Sequence, residues 1–288
     1  MKRVGVAGLG KMGSAIACNL LDHGYSVSVW NRTTATAEEL ASAGAVVCPD
    51  IASLVSGVDA VIAMLWDDAV AREVTLSQII PAAKKGQLVV ESSTLSPQMY
   101  EMLAQAAAQR EIDFLACPVI GSITEARAGA LITLPGGTQQ AYDRANLLLE
   151  AMASTVTYTG SPLASGYVKL ASNSVLGIIA EAAGELLRVS DRAGVDRALA
   201  IEMILHAFAR APGKKEQLLE RDSKPRFSVG ALLKDLRLAE AAYAKVDAPA
   251  PILDCVLPSF ERAVGAGLSD ADYIAVALAI EESGLPAR

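Results

Sequence analysis

Apolar and polar positions follow two regimes along these 288 residues. From Val4 to about Tyr158, short apolar runs rich in β-branched residues alternate with stretches whose apolar positions recur at helical spacing. The runs predict strands at Val4–Gly8, Ser26–Trp30, Ala60–Leu65, Gln87–Ser92, Ile112–Ala116 and Thr155–Tyr158. The periodic stretches predict helices at Gly13–Asp22, Thr34–Ala43, Asp68–Ala82 and Ser96–Gln109. Runs such as "AVIAML" are continuous rather than alternating, which implies a parallel sheet covered on both faces. After "TGSP" the pattern is helical only. Ser161 suits an N-cap and Pro162 the first turn of a long helix reaching about Ala193, ended by Gly194. Further helices are predicted near Arg197–Arg210, Gly213–Glu220, Val229–Ala244, Pro251–Val264 and Ser269–Glu282. The chain thus divides into residues 1–160 and 161–288, an α/β domain followed by an all-α domain, joined by a long interdomain helix.

Composition narrows the classes. The net charge is −7 and no Lys/Arg run exceeds two residues, so a nucleic-acid surface is not expected. Four cysteines are scattered without a CxxC pair, which fits reduced thiols in a cytoplasmic protein better than a disulfide framework or zinc site. Cys117 reads as a small buried thiol. The best apolar stretch, Val175–Leu187, contains two glutamates, so no membrane span is expected. The opening "MKRVGVAGLGKMGSAIACNLL" has the basic start and small residues of a leader. Lys11 and the glycines interrupt its apolar core, and Met1 is read as near the true start.

The same segment has a second reading. Gly8-Leu9-Gly10-Lys11-Met12-Gly13 follows a strand and opens a helix, the context in which GxGxxG holds a phosphate. Gly8 permits the tight turn, Gly10 the approach of a pyrophosphate, and Gly13 close packing of helix on sheet. This is the Rossmann-type arrangement. The second strand ends in Trp30-Asn31-Arg32-Thr33, without the acid that would bind a ribose diol. Arg32 can pair with a 2′-phosphate, and Asn31 and Thr33 offer neutral hydrogen bonds, so the cofactor expected is NADP(H).

In "GYVKLASN", Lys169 and Asn173 are four apart and share a helix face. Beside an apolar pocket the lysine would lose solvation, and its pKa would fall toward a value suited to proton transfer. On spacing alone, a lysine snorkelling from a surface helix is the commoner outcome. Gly166 lies one turn earlier and permits close packing or ligand approach. His23 precedes Gly24 at a helix end and His206 is isolated in a helix, so neither competes as a proton donor.

These motifs together resemble the β-hydroxyacid dehydrogenases, the family of 3-hydroxyisobutyrate dehydrogenase and glyoxylate/succinic semialdehyde reductases. The resemblance rests on "GLGKMGSAIACNLLDHGYSVSVWNRT", "CPVIGS" followed by "AGAL", "GYVKLASN" and "LLKDLRLA". It implies that Lys169 is the catalytic lysine and Asn173 a substrate ligand. It places Leu65, Trp66 and Thr94 at the cofactor, and Lys234 reaching toward it from the helical domain. It also implies a homodimer or homotetramer that acts on a small molecule.

One position departs from the pattern. The family's usual "PVSGG" loop holds the substrate carboxylate through a serine and backbone N–H groups, whereas this chain has Ile120-Gly121-Ser122. Losing a hydrogen bond to a charged group costs about 1.5–3 kcal/mol, enough to alter substrate preference unless Ser122 compensates. Imine reductases share the two-domain plan and often an "IG" pair here, but usually carry Asp or Tyr in place of Lys169. The expected function is NADP(H)-dependent hydride transfer to or from a small β-hydroxy acid, carboxylated aldehyde or keto acid, with Lys169 as general acid/base. An imine reductase is the second reading, and a catalytically silent NADP(H)-binding module the third.

Overall fold

The computed structural model describes residues 2–209, 215–220 and 222–277. Contacts divide the chain into two units, Met1–Ser174 and Val175–Arg288. In the first, strands β1 (Arg3–Ala7), β2 (Ser26–Trp30), β3 (Val46–Val47), β4 (Ala60–Ala63), β5 (Leu88–Glu91), β6 (Asp113–Ala116) and β9 (Gly136–Gly137) form one sheet. Its order is β3-β2-β1-β4-β5-β6-β9, parallel except for the antiparallel last pair. The order reverses between β2 and β4 around β1, and ligands of such sheets bind at that switch point, outside the carboxyl ends of the strands.

The sheet is buried on both faces, which explains its unbroken apolar runs. Val4, Val6, Ala60, Ile62, Leu88 and Val90 pack with Ala15, Ile16 and Leu20 of helix α1 (Lys11–Asp22). Ala7, Val61, Ala63 and Val89 point to the opposite face. There they meet Leu54 of α3 (Ile51–Ser56) and Met99, Tyr100 and Leu103 of α6 (Pro97–Gln109).

Several elements differ from the sequence expectation. The predicted strand at Thr155–Tyr158 lies at Ala153–Val156 (β10) and joins a second sheet, β10-β8-β7, with β7 Val119–Ile120 and β8 Leu131–Thr133. The predicted helix Asp68–Ala82 consists of Asp68–Ala71 (α4), a π-helical stretch Arg72–Ile79 and Ile80–Ala82 (α5). Three helices escaped the pattern: α3, α7 (Ile123–Arg127) and α8 (Gln139–Met152).

The long helix α9 runs Pro162–Arg192, with Ser161 Oγ accepting from the Ala164 N–H at 3.2 Å and Gly194 at φ +71° just beyond its end. Its length and a window of mean hydropathy 1.3 would by themselves suffice to cross a membrane. Glu185, on the same helix, nevertheless uses its carboxylate to accept the N–H groups of Ile252 and Leu253 at 2.7 and 3.3 Å, capping α13 (Pro251–Gly265). The second unit also holds α10 (Arg197–Ala209), α11 (Lys215–Leu219) and α12 (Val229–Lys245). Leu233 and Leu236 of α12 pack against the α13 cluster of Leu253 and Leu257. The predicted helix Ser269–Glu282 is, among the described residues, a run of turns with helix only at Ala275–Ala277; residues 278–282 lie outside them. Asp272 accounts for those turns, because its carboxylate accepts backbone N–H groups from Arg226, Phe227 and Ile274. Arg210, Gly213 and Lys214, at the ends of two other predicted helices, also lie outside the described residues.

Candidate active site

The glycine turn sits at the carboxyl end of β1, and its three glycines answer to different constraints. Gly8 has φ +94°, and a Cβ there would collide with the carbonyl oxygen of Met64. A Cβ on Gly13 would collide with the carbonyl oxygen of Gly8. These two glycines are required by the turn and by the packing of α1. Gly10 is not: its φ is −66°, and a Cβ added there meets no protein atom within 4 Å. The open space over Gly10 is a cradle that a side chain would fill, as a backbone site for pyrophosphate requires.

The helix end is electrostatically prepared for the same group. Gly10 is the N-cap, no side chain caps the first turn and no acid lies in it. The first residue is instead Lys11, a cation at the positive end of the helix dipole, which is unfavourable unless an anion binds there. Gly8, Gly10, Lys11, Met12, Gly13, Asn31, Arg32, Leu65 and Trp66 line one cavity of about 630 Å³. Among the described residues Arg32 is exposed and has no carboxylate partner. Trp66 stands 86% exposed on the cavity wall. The donors and shape fit a pyridine dinucleotide.

Three of the cofactor residues predicted in the first unit, Leu9, Thr33 and Thr94, stand apart from that lining. The Leu9 side chain is buried in the core, while its N–H donates to Asn31 Oδ1 at 3.0 Å. Asn31 Nδ2 donates to the Thr33 carbonyl at 2.9 Å, so the Asn31 amide ties the glycine turn to the end of β2. Thr33 and Thr94 are exposed and do not line the cavity. Sequence reasoning missed Glu73 and Val74, which the π-helical stretch places on its wall.

Gly10→Ala should separate folding from binding. Its Cβ has room and its φ suits alanine, so Tm should move by only a few degrees. Pyridine-nucleotide affinity, read by fluorescence titration, should fall by about tenfold or more as the cradle fills. Unchanged affinity would remove the phosphate assignment.

Lys169 lies on α9, four residues after Ser165. The Ser165 hydroxyl lies 3.4 Å from the carbonyl of Ala116 at the end of β6 and 2.7 Å from Thr159 Oγ1. Gly166 serves close packing, since a Cβ there would stand 2.8 Å from Pro97 Cα. These contacts press α9 onto the carboxyl edge of the sheet and leave Lys169 only 7% exposed. Desolvation by burial lowers its pKa. Its ammonium donates to Asn173 Oδ1 at 2.9 Å. The snorkelling alternative does not describe this side chain.

The loop after β6 is differently occupied. Gly121 has φ +134°, and a Cβ there would press on Leu131 at 2.7 Å. The Ser122 N–H donates to Glu125 Oε2 at 2.8 Å, its hydroxyl donates to the same oxygen, and the Thr124 N–H donates back to the hydroxyl at 3.2 Å. This is a capping box on α7, and its S-x-x-E spacing is visible in the sequence. Ser122 is therefore committed within its own loop, beside the aliphatic Ile120. Cys117, which precedes the loop, is fully buried and its thiol is pushed up to about 12, which leaves it inert. Lys234 lies in the second unit, its ammonium 3.0 Å from Asp235.

The fold and this cavity are those of a pyridine-nucleotide-binding protein of the Rossmann type. Two family models match: the NAD binding domain of 6-phosphogluconate dehydrogenase over residues 3–160, and the NAD-binding region of NADP-dependent 3-hydroxyisobutyrate dehydrogenase over residues 164–280. The chain belongs to this hydroxyacid dehydrogenase family. It is 30% identical over 280 residues to cytokine-like nuclear factor N-PAC from Xenopus tropicalis, covering 96% of this chain and 52% of that protein, so it spans about half the length of that relative. It is 28% identical to glyoxylate/succinic semialdehyde reductase 1 from Arabidopsis thaliana, covering 97% of this chain and 99% of that enzyme. An imine reductase structure from a Pseudomonas species shares the fold, with a TM-score of 0.85 at 24% identity, covering 97% of this chain and 99% of that one.

Proposed function

We propose that this protein is an NADP(H)-dependent reductase of small carboxylated aldehydes or keto acids, working in reverse on β-hydroxy acids, with Lys169 as general acid/base. The observation that carries the reading is Lys169 itself: buried, lowered in pKa, and bonded to Asn173 in the same compact unit as the nucleotide cavity. Arg32, free of any carboxylate among the described residues, supports NADP(H) over NAD(H). Bound in the cavity, the nicotinamide supplies or accepts the hydride. Lys169 as ammonium then gives its proton to the substrate oxygen in reduction, and as neutral amine takes the hydroxyl proton in oxidation. Burial eases that change of state, because it disfavours the charged form. Asn173 orients both the lysine and the substrate, and the Gly121–Ser122 loop contacts the substrate.

Ile120 and the commitment of Ser122 to Glu125 favour a second reading, an imine reductase whose substrate makes little use of a carboxylate contact. A homodimer or homotetramer in the cytoplasm belongs to the same proposal. The unpaired cysteines and the exposed Val175, Leu176 and Ile178, in the part of α9 that belongs to the second unit, support it.

The test follows nicotinamide absorbance with succinic semialdehyde, glyoxylate and a cyclic imine, each with NADPH and NADH. Turnover of the aldehydes with NADPH is expected, and Arg32→Ala should narrow the preference for NADPH over NADH. Faster turnover of the imine would replace the leading reading with the second. Tight NADPH binding without turnover of any substrate would indicate a silent binding module.

A further inference from the structure

Glu91 ends β5 fully buried, and no salt bridge reaches it among the described residues. Its carboxylate is held by neutral donors. Thr75 Oγ1 donates to Oε2 at 2.6 Å, while the Ser93 hydroxyl and N–H both donate to Oε1, the N–H at 3.3 Å. A carboxylate buried without a cation is costly, and an aliphatic residue would satisfy packing more cheaply.

The contacts continue outward from this acid to the nucleotide cavity along two routes. Ser93 Oγ accepts the N–H of Leu65 at 2.6 Å, and the hydroxyl of Tyr100 fixes the Ser93 carbonyl from α6. Leu65 stands on the cavity wall in the loop after β4. Thr75 lies in the π-helical stretch, directly after Glu73 and Val74 on the same wall. Stretches of π-helix are rare and recur at functional sites. One buried carboxylate thus ties together two segments of chain that face the nucleotide.

We propose that Glu91 is a positioning residue for nucleotide binding, setting the Leu65 loop through Ser93 and the π-helical wall through Thr75. The proposal rests on the assignment of the 630 Å³ cavity to the nucleotide. Glu91 acts through its hydrogen bonds to Ser93 and Thr75, not as a charge felt by the ligand. Glutamine preserves that connectivity: its oxygen accepts both Ser93 donors, and its NH₂ donates to Thr75 Oγ1. Ser93→Ala cuts the link to Leu65, and Thr75→Val cuts the link to the π-helical stretch.

The experiment measures NADPH Kd by fluorescence titration, nucleotide KM, kcat and Tm for the wild type, Ser93→Ala, Thr75→Val and Glu91→Gln. Ser93→Ala should raise Kd and nucleotide KM about tenfold with kcat little changed. Thr75→Val should raise Kd in the same direction, and Glu91→Gln should stay within about twofold of the wild type. A Ser93→Ala protein with lowered Tm but wild-type Kd would assign Glu91 a purely structural role and overturn the proposal. Glu91→Gln weakening NADPH as much as Ser93→Ala would also overturn it, because connectivity would not be what matters. A wild-type protein that fails to bind NADPH would remove the cavity assignment itself, and the positioning role with it.

Discussion

Lys169→Ala should lower kcat for carbonyl reduction by about 10²–10⁴-fold, the range that a positioned general acid supplies. NADPH Kd should move by no more than about threefold, because the nucleotide cavity is lined by the glycine turn and the start of α1, the end of β2, the loop after β4 and the α4–π-helical segment, not by α9. The split follows from what the lysine contributes. Its proton reaches the substrate oxygen only as negative charge develops there, so the loss falls on the transition state. The pH profile gives an independent check. Reduction needs the ammonium form, so its rate should fall as pH rises through the pKa of Lys169. Desolvation has moved that pKa below the ordinary lysine value, so the fall should come at lower pH than for an exposed lysine. In oxidation the neutral amine is needed, and the same group should give a rising limb. Equal losses in kcat and in NADPH affinity would mean that Lys169 holds the structure of the site and does not carry the proton.

How far this site could be read from the chain depended on whether each feature is local. The five long parallel strands are local, because both faces are buried and the apolar runs are unbroken. Strands β3, β7 and β9 are two residues each, and β9 is Gly136-Gly137, with no side chain to signal a strand. Helix α8 was legible in principle: its buried residues fall at Ala141, Ala145, Leu148, Leu149 and Met152, at helical spacing behind the Thr138 cap. The glycine turn, Arg32 and the Lys169–Asn173 spacing are likewise local, and the structure adds burial to the lysine. What the chain could not disclose is tertiary. The acid in "LVVESS" gives no sign that Thr75, sixteen residues earlier, will donate to it. Nor does periodicity show a π-helical register in Arg72–Ile79. The hydroxyl that Ser122 offers in the sequence is claimed by Glu125, three residues on.

Glu91 should also set how stability depends on pH. In the unfolded chain its carboxyl titrates near 4.5, and in the folded domain desolvation pushes it up to about 7, against the lowering pull of Ser93 and Thr75. Below the unfolded value the acid is neutral in both states and costs nothing. Between the two values the unfolded chain releases the proton while the folded one keeps it, so stability falls as pH rises. Above the folded value both states are ionised and the full cost is in place, about 3 kcal/mol. Urea unfolding of the wild type between pH 5 and pH 8 should therefore contain a loss of this order, and Glu91→Gln, which cannot ionise, should lack it. At pH 8 the variant should be the more stable protein, while by the positioning argument its NADPH affinity is retained. Parallel stability curves for the two proteins would mean that folding does not raise the titration of Glu91. If the curves diverge as expected, the acid carries a stability cost at neutral pH that glutamine would avoid.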